Sequence, residues 1–388
     1  VHEERLFEWV TRVLDFLVRR GDDANDALYR LRRARYADER ETTFEVRASM
    51  LGESVVLEGQ VLTADQRDAA LSALPVKPVE DRVRVLLTEE TPHALVNRSV
   101  ADVRREPRGL SELMTEALVG ESARILEERD GWTRVRLDRD GYLGWMRAGS
   151  LLRCGPAEVE AYQAAKSAIV IAELALAYAS PLLSGEPRKR EASHGPGVRS
   201  GKLPFGVALP VAERRDSFAA VRLPDGRLWW VAESDLMPLA DRPGPDAEGM
   251  AFALNLLRRC VGVPYLWGGR TPFGFDCSGF AQTLWSFVGV PIPRDADQQF
   301  RAGIPVEGTP QPGDLLYFGE APPLSPPQGG GDERGGITHV AISLGGDELL
   351  HSNGTDWSVA YNSLNPASPI YRAWLKEHLA GVRRFADR

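Results

Sequence analysis

The spacing of apolar positions in the first 80 residues predicts a helix followed by a small mixed unit. Apolar residues at 6, 10, 13, 14 and 17 recur at helical spacing, and Gly21 is placed to end that helix. Two stretches that alternate apolar and polar side chains, TFEVRAS and SVVLEGQV, predict strands. Thr63 and Gln66 have the spacing of a capping box before a helix that includes AALSAL, and RVRVLL predicts a third strand. We place this module at 1–81.

A repeat with an offset of 86 residues occupies the middle of the chain. ARILEERDGWTRVRL (123–137) aligns with LPVAERRDSFAAVRL (209–223), and each copy has the pattern of a strand, a charged turn and an alternating strand. Each copy leads to an aromatic pair, in GYLGWM and in RLWWVA. Short strands with turns at this interval predict small β-barrels. We place the barrels at 82–155 and 165–240, and we expect the segment between them to be a linker.

From residue 246 onward the pattern changes again. A helix leads to a Pro/Gly-rich turn and to a second helix, which begins at Cys277. PQPGDLLYF predicts a turn and a strand, and ITHVAISLGG and DELLHSNG predict two antiparallel strands. A Pro- and Gly-rich stretch at 320–336 predicts a long surface loop. Whether that loop covers a cleft is left open by the sequence.

Composition and charge narrow the classes of function. The 388 residues are 43% hydrophobic and 26% charged, as in soluble proteins of several domains, and the formal net charge of −8 argues against nucleic acid as a partner. The apolar run at 168–180 is interrupted by Glu173, so we expect no membrane span. No export signal is visible, which favours the cytoplasm; a periplasmic or extracellular location is the alternative if a signal was removed.

Cysteine and histidine usage predicts neither a disulfide framework nor a metal site. The chain has three cysteines without a CxxC pair, and its six histidines show no spacing typical of zinc ligands. We therefore expect no metal and no other cofactor.

Cys277 begins a strongly apolar helical pattern, in FGFDCSGFAQTLWSF. The thiolate is the reactive form of cysteine, and a helix N-terminus lowers the pKa of a thiol placed there. A histidine must lie close enough to take the proton, and a further polar group must orient that histidine. Cys277 is therefore a candidate nucleophile, and a buried core cysteine is the alternative.

Two histidines follow on the predicted strands, at separations of 62 and then 12 residues. In ITHVAIS, Val340 and Ile342 share one parity, so the His339 side chain is predicted to point to the other face. His351 lies near the end of the next strand. A hairpin between these strands brings the two imidazole rings side by side, which makes His339 the candidate base and His351 its orienting partner.

The order of these motifs resembles the NlpC family of bacterial cell-wall cysteine peptidases. The resemblance rests on WGGRTPFGFDCSGF, PRDADQQ, PGDLLYF, HVAI and the later histidine, and it covers essentially all of the domain that we place at 246–388. It implies a papain-like core in which a helix packs on a small antiparallel sheet. The two repeats resemble bacterial SH3-like domains, and residues 1–81 loosely resemble a BON domain, with a plain α+β module as the alternative. The expected fold class is α+β and multidomain.

Together with the two upstream modules, the chain resembles the γ-D-glutamyl-L-diamino acid endopeptidases of this family. Those enzymes cut L-Ala-γ-D-Glu-L-diamino acid stem peptides after the D-Glu residue. The resemblance implies that Cys277 attacks the γ-carbonyl, that His339 exchanges the proton, and that His351 orients His339. The oxyanion donors would be the Cys277 backbone N–H and the Tyr265 hydroxyl. Packing of the Tyr265 ring beside Trp267 is the alternative.

The resemblance also implies a pocket for the ammonium group of the N-terminal L-Ala. Asp276 and Asp295 match family positions near this amine, and the Ser278 hydroxyl adds an acceptor. Both aspartates also precede or start helices, so helix capping is the alternative for each. Ala296 departs from the serine that the family pattern would place there, so one contact to the amine is missing.

In close relatives the first barrel lines this pocket with a tyrosine and a glutamate. Tyr142 in DGYLGWM matches the tyrosine, with a place in the barrel core as the alternative. For the glutamate we choose Glu116 in ELMTEALVGE, with Glu121 as the second choice; the alternative for Glu116 is an exposed side chain on a helix-like segment. A barrel wall over one end of the cleft would admit only peptides with a free N-terminus.

Two other functions stay open at this stage. One is a catalytically weak scaffold that binds wall peptides through its SH3-like modules, and the other is an amidase or acyltransferase on the same fold. The expected partners are peptidoglycan stem peptides. The sequence does not set the diamino acid, which is diaminopimelate or lysine, or the oligomeric state.

Overall fold

The computed structural model describes residues 22–52, 54–75, 78–180, 199–319 and 336–386. The chain divides into two compact units, Val1–Thr91 with Arg124–Glu127 and Pro92–Ala123 with Glu128–Arg388. The helix predicted over residues 6–17 and the loop predicted at 320–336, except for Gly336, lie outside the described residues. Among the helices that are described, none has the length and apolar character needed to cross a bilayer.

Within its described residues, the first unit contains two helices and a three-stranded sheet. The elements are α1 (22–35), β1 (Phe44–Leu51), β2 (Ser54–Val61), α2 (Ala64–Ala73) and β3 (Val79–Val85). β1 pairs antiparallel with β2, and β3 runs parallel to β2. The three predicted strands and the helix after Thr63 are confirmed.

The start of α2 follows the predicted chemistry. The Gln66 side-chain oxygen accepts from the Leu62 and Thr63 backbone N–H groups at 2.8 and 3.2 Å. These bonds satisfy donors at the helix start, where a helix has no internal acceptors. The boundary expected at 81/82 falls inside β3, and the pairing of β3 with β2 assigns the whole strand to the first module.

The first SH3-like module is a seven-stranded sheet with the order β10-β4-β7-β8-β9-β5-β6. Its strands are β4 (His93–Val96), β5 (Val100–Arg104), β6 (Leu113–Leu118), β7 (Ser122–Arg129), β8 (Trp132–Leu137), β9 (Leu143–Arg147) and β10 (Leu151–Cys154). The predicted aromatic segment GYLGWM (141–146) overlaps β9, and it contributes the buried Tyr142, Trp145 and Met146.

Helix α3 (Pro156–Ala165) connects the two modules, where we expected an irregular linker. Pro156 occupies the first turn, and the Glu158 carboxylate accepts from the Gly155 N–H at 2.6 Å. Proline at this position and an acid three residues after the cap are signals of a helix start. The prediction missed them because Pro and Gly were interpreted only as linker residues.

Over 165–180 and 199–240, the second module forms a three-stranded and a five-stranded sheet, with the orders β14-β11-β18 and β13-β12-β17-β16-β15. Its strands are β11 (Ala168–Val170), β12 (Leu174–Tyr178), β13 (Arg199–Pro204), β14 (Ala208–Leu209), β15 (Val211–Arg215), β16 (Phe218–Arg222), β17 (Leu228–Ala232) and β18 (Leu236–Pro238). The apolar run at 168–180 thus forms two strands. In β17, Trp229 packs against the core cluster of this module, and Trp230 is buried.

The two copies of the repeat share an unusual backbone conformation at the charged turn. Asp130 and Asp216, which occupy the same position in the repeat, have φ angles of 51° and 53°. Aspartate tolerates this left-handed region better than most residues, and it is typical of tight hairpin turns. The internal repeat therefore extends from the sequence to the turn geometry.

The C-terminal module packs helices against a six-stranded sheet with the order β21-β26-β22-β23-β24-β25. The helices are α4 (Ala247–Leu257), α5 (Cys277–Phe287), α6 (Ala296–Ala302) and α7 (Ala373–Glu377). The strands are the hairpin β19 (Arg270–Thr271) and β20 (Gly274–Phe275), followed by β21 (Ile304–Pro305), β22 (Leu315–Gly319), β23 (Ile337–Gly345), β24 (Glu348–Asn353), β25 (Ser358–Ser363) and β26 (Leu379–Arg384).

Both faces of this sheet are covered. Val340 and Ile342 pack into the core cluster that contains α5, as their shared parity predicts. Ala341 and Leu349 pack into a second cluster. The α+β multidomain fold class is confirmed, and the two predicted strands form the antiparallel pair β23–β24.

Candidate active site

Cys277 is the first residue of α5, and Asp276 caps that helix. The Asp276 Oδ1 atom accepts from the Gly279 N–H at 2.6 Å. A Cβ atom on Gly279 would lie 2.2 Å from the Gly269 carbonyl oxygen, so only glycine lets the helix start approach the preceding segment this closely. The sequence DCSG therefore fixes the position of the thiol through a cap and a close backbone contact.

Burial dominates the chemistry of the Cys277 thiol. It raises the pKa of Cys277 to about 12, and the Asp276 carboxylate acts in the same direction. Backbone hydrogen bonds from Val340 and Ser278, together with the Arg294 charge, lower the pKa by less. The expected lowering by the helix N-terminus is therefore outweighed by desolvation. The bond from Val340 also puts Cys277 beside the segment that carries His339.

His339 on β23 and His351 on β24 form a direct pair. The His339 Nε2 and His351 Nδ1 atoms are 2.7 Å apart, and the ring centroids are 4.9 Å apart. The expectation that the hairpin brings the rings side by side is confirmed. Because Nε2 of His339 is used in this contact, Nδ1 is the His339 nitrogen left to exchange a proton with the thiol.

Asn362 on β25 extends this pair and was missed by the sequence reasoning. Its Oδ1 atom lies 2.8 Å from the His351 Nε2 atom, and its side chain is buried. The only signal in the sequence was the alternating stretch SVAYNS after the second histidine, where a strand would pair with β24.

Burial also keeps both imidazoles neutral. It lowers the pKa of His339 well below its ordinary value of 6.5, and the neighbouring His351 adds to this effect. Burial lowers the pKa of His351 to about 4, against the opposing hydrogen bond to Asn362. A thiol with a raised pKa and imidazoles with lowered pKa values describe a resting site in which the proton stays on sulfur.

Tyr265 lies close to this site. Its backbone N–H donates to the Trp357 carbonyl at 2.9 Å, and its ring packs edge-on against the Trp357 ring with centroids 6.3 Å apart. The aromatic neighbour is therefore Trp357, and not Trp267 as in the alternative to an oxyanion role. Burial raises the pKa of Tyr265, with the nearby Cys277 and Asp276 adding to the effect. The phenol stays protonated and can donate a hydrogen bond.

Asp276 is paired with Arg294, which lies in the PRDADQQ motif and for which the sequence predicted no role. Arg294 Nη1 and Nη2 donate to the two Asp276 oxygens at 3.0 and 2.7 Å. Nη1 also donates to Ser278 Oγ at 2.9 Å, and Nε donates to Thr115 Oγ1 of the first SH3-like module at 2.8 Å. Asp276 is thus a helix cap and one half of a buried ion pair.

Tyr142 and Asp295 meet as the sequence reasoning grouped them. The buried Tyr142 hydroxyl donates to Asp295 Oδ2 at 2.9 Å, which joins β9's preceding turn to the start of α6. Asp295 also caps α6, together with Gln298. The Asp295 side chain therefore caps α6 and also bonds Tyr142 near the candidate nucleophile, so the two interpretations of Asp295 are compatible. Ala296 is buried in the first turn of α6, and nothing in the structure explains why it replaces a serine.

Glu116 is buried on β6, so the alternative of an exposed side chain on a helix-like segment is wrong. Its Oε2 atom accepts from the Arg270 backbone N–H at 2.9 Å and from Thr271 Oγ1 at 3.0 Å. Burial raises the pKa of Glu116 from 4.5 to about 7, against the hydrogen bond from Thr271. Glu121 accepts from Arg270 Nη1 at 2.7 Å. Both glutamates therefore tie the first SH3-like module to the β19 strand of the C-terminal module.

Comparison with known proteins gives two family matches. The NlpC/P60 family model matches residues 262–384, and the bacterial dipeptidyl-peptidase SH3 domain model matches residues 103–151. The first match contains Cys277, His339 and His351, and the second contains Glu116 and Tyr142.

Similar proteins come from two Bacillus species and from Lysinibacillus sphaericus. Two curated relatives, both named γ-D-glutamyl-L-lysine dipeptidyl-peptidase, are from Bacillus cereus and Bacillus subtilis. Each is 28% identical; the first alignment covers 71% of this chain and 76% of the relative, and the second 70% and 81%. Dipeptidyl-peptidase 6 of Lysinibacillus sphaericus is 27% identical over 75% of this chain and 98% of its own length.

A solved structure shares the arrangement. It is an NlpC/P60 family protein from Bacillus cereus, with 25% identity, a TM-score of 0.61, and coverage of 76% of this chain and 99% of the solved chain. The chain described here therefore carries an NlpC/P60 domain behind a bacterial dipeptidyl-peptidase SH3 domain, and its C-terminal domain is that of a cysteine peptidase.

Proposed function

We propose that this peptidase hydrolyses the bond between γ-D-Glu and the L-diamino acid in peptidoglycan stem peptides that begin with a free L-Ala. The observation that carries the proposal is the set of bonds from the first SH3-like module into the start of α5 and α6. Thr115 and Tyr142 of that module bond Arg294 and Asp295, next to the candidate nucleophile. The names of the two Bacillus relatives, which refer to γ-D-glutamyl-L-lysine, support the same bond class.

In the proposed reaction, Cys277 Sγ attacks the γ-carbonyl carbon while the thiol proton passes to His339 Nδ1. The resulting imidazolium is stabilised by His351, whose Nδ1 lies 2.7 Å from His339 Nε2. His339 then gives the proton to the leaving amine of the diamino acid, and a thioester with L-Ala-γ-D-Glu forms on Cys277. Water hydrolyses this thioester, with His339 as the base.

The charge that develops on the carbonyl oxygen needs donors. The backbone N–H of Cys277 lies in the first turn of α5, where N–H groups have no acceptor within the helix. The Tyr265 hydroxyl, kept protonated by its raised pKa, is the second donor. This pair supplies both a backbone and a side-chain hydrogen bond to the tetrahedral intermediate.

The charged groups around Arg294, next to the start of α5, favour a free amine. Asp276 and Asp295 flank Arg294, at 2.7 and 3.9 Å from its nitrogens, so two carboxylates face one guanidinium. The surplus negative charge suits the ammonium group of L-Ala. Because Asp276 is already paired with Arg294, we assign the larger part of this attraction to Asp295, which Tyr142 orients.

The test is mass spectrometry of the products from a panel of stem peptides that differ in the N-terminus and the third residue. Release of L-Ala-γ-D-Glu from the free peptide, its loss in Cys277→Ala, and its retention in Cys154→Ala are expected. Acetylation of the L-Ala amine is expected to reduce kcat/KM by about 10-fold or more, because buried carboxylates lose their partner. Cleavage at another bond, or full activity of Cys277→Ala, refutes the proposal.

A further inference from the structure

His351 can orient His339 only if its own protons are in the right place. His339 Nε2 and His351 Nδ1 are 2.7 Å apart, so one of these nitrogens carries the proton and the other accepts the hydrogen bond. For His339 Nδ1 to accept the thiol proton, the neutral His339 ring must carry its proton on Nε2. His351 Nδ1 must then be the acceptor, and the proton of neutral His351 must be on Nε2.

Asn362 faces that second nitrogen with an oxygen. Its Oδ1 atom lies 2.8 Å from His351 Nε2, and its amide nitrogen donates to the Ile370 carbonyl at 3.3 Å. The bond to Ile370 fixes the orientation of the amide, because a carbonyl oxygen accepts only from the nitrogen end. An oxygen cannot donate, so this contact requires a proton on His351 Nε2.

A second amide approaches the same nitrogen with a donor. Asn353 Nδ2 lies 3.2 Å from His351 Nε2, and it also donates to Asp356 Oδ2 at 3.1 Å. The Asn353 Oδ1 atom accepts from the Thr355 and Asp356 backbone N–H groups, so Asn353 is committed to its turn. The contact to Asn362 is shorter, and it favours the opposite tautomer from the one that Asn353 would favour.

We propose that Asn362 is a positioning residue that sets the tautomers of both histidines. Its carbonyl holds the His351 proton on Nε2, this makes His351 Nδ1 an acceptor, and the acceptor holds the His339 proton on Nε2. The lone pair on His339 Nδ1 is then free for the thiol proton. The effect on kcat rests on the proposed function. The positions of the protons on His339 and His351 do not depend on it.

An uncharged acceptor suits this position better than a carboxylate. His351 must stay neutral, since a second proton on Nδ1 would remove the acceptor that His339 needs. The charged or titratable groups that face His351 are His339 on β23, Asp356 in the β24–β25 turn and Arg372 before α7. Asp356 and Arg372 oppose each other and are paired at 2.8 Å. Asn362 adds a hydrogen bond to this balance without adding a charge.

The experiment combines nitrogen NMR of histidine-labelled protein with pH profiles of kcat. Two-bond ¹⁵N–¹H correlations distinguish the two tautomers of a neutral imidazole. The variants are Asn362→Leu, which removes the acceptor, and Asn362→Asp, which keeps an acceptor and adds a charge. Asn365→Leu is the matched control, because Asn365 is exposed and its side-chain oxygen accepts from the nearby Ala367 N–H at 2.9 Å, away from the histidines.

Protons on Nε2 of both His339 and His351 are expected in the wild type. In Asn362→Leu a mixture of tautomers and a loss in kcat of about 10- to 100-fold are expected, the range for a buried donor left without a partner. In Asn362→Asp the tautomers persist, and the acid limb of kcat moves to higher pH because the carboxylate favours protonated His351. A purely structural role for Asn362 would not move that limb.

The proposal is overturned if the His351 proton lies on Nδ1 in the wild type, or if Asn362→Leu leaves both the tautomers and kcat unchanged. The near-isosteric Asn362→Asp variant keeps the test decisive if Asn362→Leu does not fold. The NMR measurement needs no substrate, so it stands even if the stem-peptide proposal fails. Wild-type tautomers with normal cleavage of a different bond would refute only the proposed function.

Discussion

Replacing Glu116 by glutamine tests the reasoning about the junction between the first SH3-like module and the C-terminal module. Glu116 Oε2 accepts two hydrogen bonds, from the Arg270 N–H and the Thr271 hydroxyl. The glutamine oxygen can accept the same two bonds, so Glu116→Gln changes the charge and preserves the contacts. The variant therefore isolates the free energy of burying the ionised carboxylate.

The magnitude follows from the pKa. Burial raises the pKa of Glu116 from 4.5 to about 7 in the folded protein. Between these values the folded state binds a proton that the unfolded state has lost, so the free energy of unfolding falls as pH rises through this window. At 1.36 kcal/mol per pKa unit, the loss is about 3 kcal/mol once the pH exceeds the folded pKa.

Equilibrium urea unfolding of both proteins at about pH 4.5 and about pH 9 measures this effect. We expect the difference between Glu116→Gln and wild type to move by about 3 kcal/mol in favour of the variant at the higher pH. Glu112→Gln is the matched control: Glu112 accepts from Trp267 Nε1 near the same junction, but it is exposed and paired with Arg105, so its replacement removes no buried charge and should not stabilise the protein at the higher pH. Parallel pH dependence of wild type and Glu116→Gln would refute the reasoning.

Three further predictions concern the site itself. Arg294→Met should lower the free energy of unfolding by about 3–5 kcal/mol, because Asp276 is left as an unpaired buried charge; adding Asp276→Asn should recover part of the loss in urea unfolding, and a further loss would contradict the pairing. Tyr265→Phe should reduce kcat about 100-fold with little change in KM, as for loss of one oxyanion donor, and an unchanged kcat would remove Tyr265 from that role. The acid limb of kcat/KM should lie below pH 6.5. The reason is that burial lowers the pKa of His339, so this base stays neutral until the pH falls through the lowered pKa. A limb at or above pH 6.5 in the pH–rate profile would contradict this.

The helix and strand positions of the site could be predicted because their signals are local. The apolar periodicity after Cys277, the aspartate before it and the alternation around His339 each depend on neighbouring residues. β23 and β24 are adjacent along the chain, so their hairpin also followed from local pattern. The pairing of His339 with His351 was therefore within reach of the sequence.

The partners that lie far apart along the chain were not predictable in the same way. Arg294 bonds Thr115, 179 residues away, and Glu116 bonds Arg270 and Thr271 across 154 and 155 residues. Helical or strand periodicity contains no information on such contacts. Asn362 needed the register of β24 with β25, which depends on the turn between them.

The pKa shift of Cys277 also could not be predicted from the sequence. A helix N-terminus favours the thiolate, and this local effect was the one visible in the sequence. Desolvation depends on how completely the surrounding modules bury the sulfur, and it raises the pKa to about 12. The sign of the shift was therefore decided by tertiary packing.

The central claim, that Cys277 forms a thioester with the L-Ala-γ-D-Glu part of the substrate, is tested most directly by trapping that intermediate. Rapid mixing with a stem peptide, acid quench and intact mass spectrometry, followed by peptide mapping, would detect it. The account predicts one added L-Ala-γ-D-Glu acyl group, located on Cys277, released by mild thiol treatment as a thioester is, and absent from Cys277→Ala. Steady release of product with the acyl group on another residue, or with the added mass of a different fragment, would contradict it.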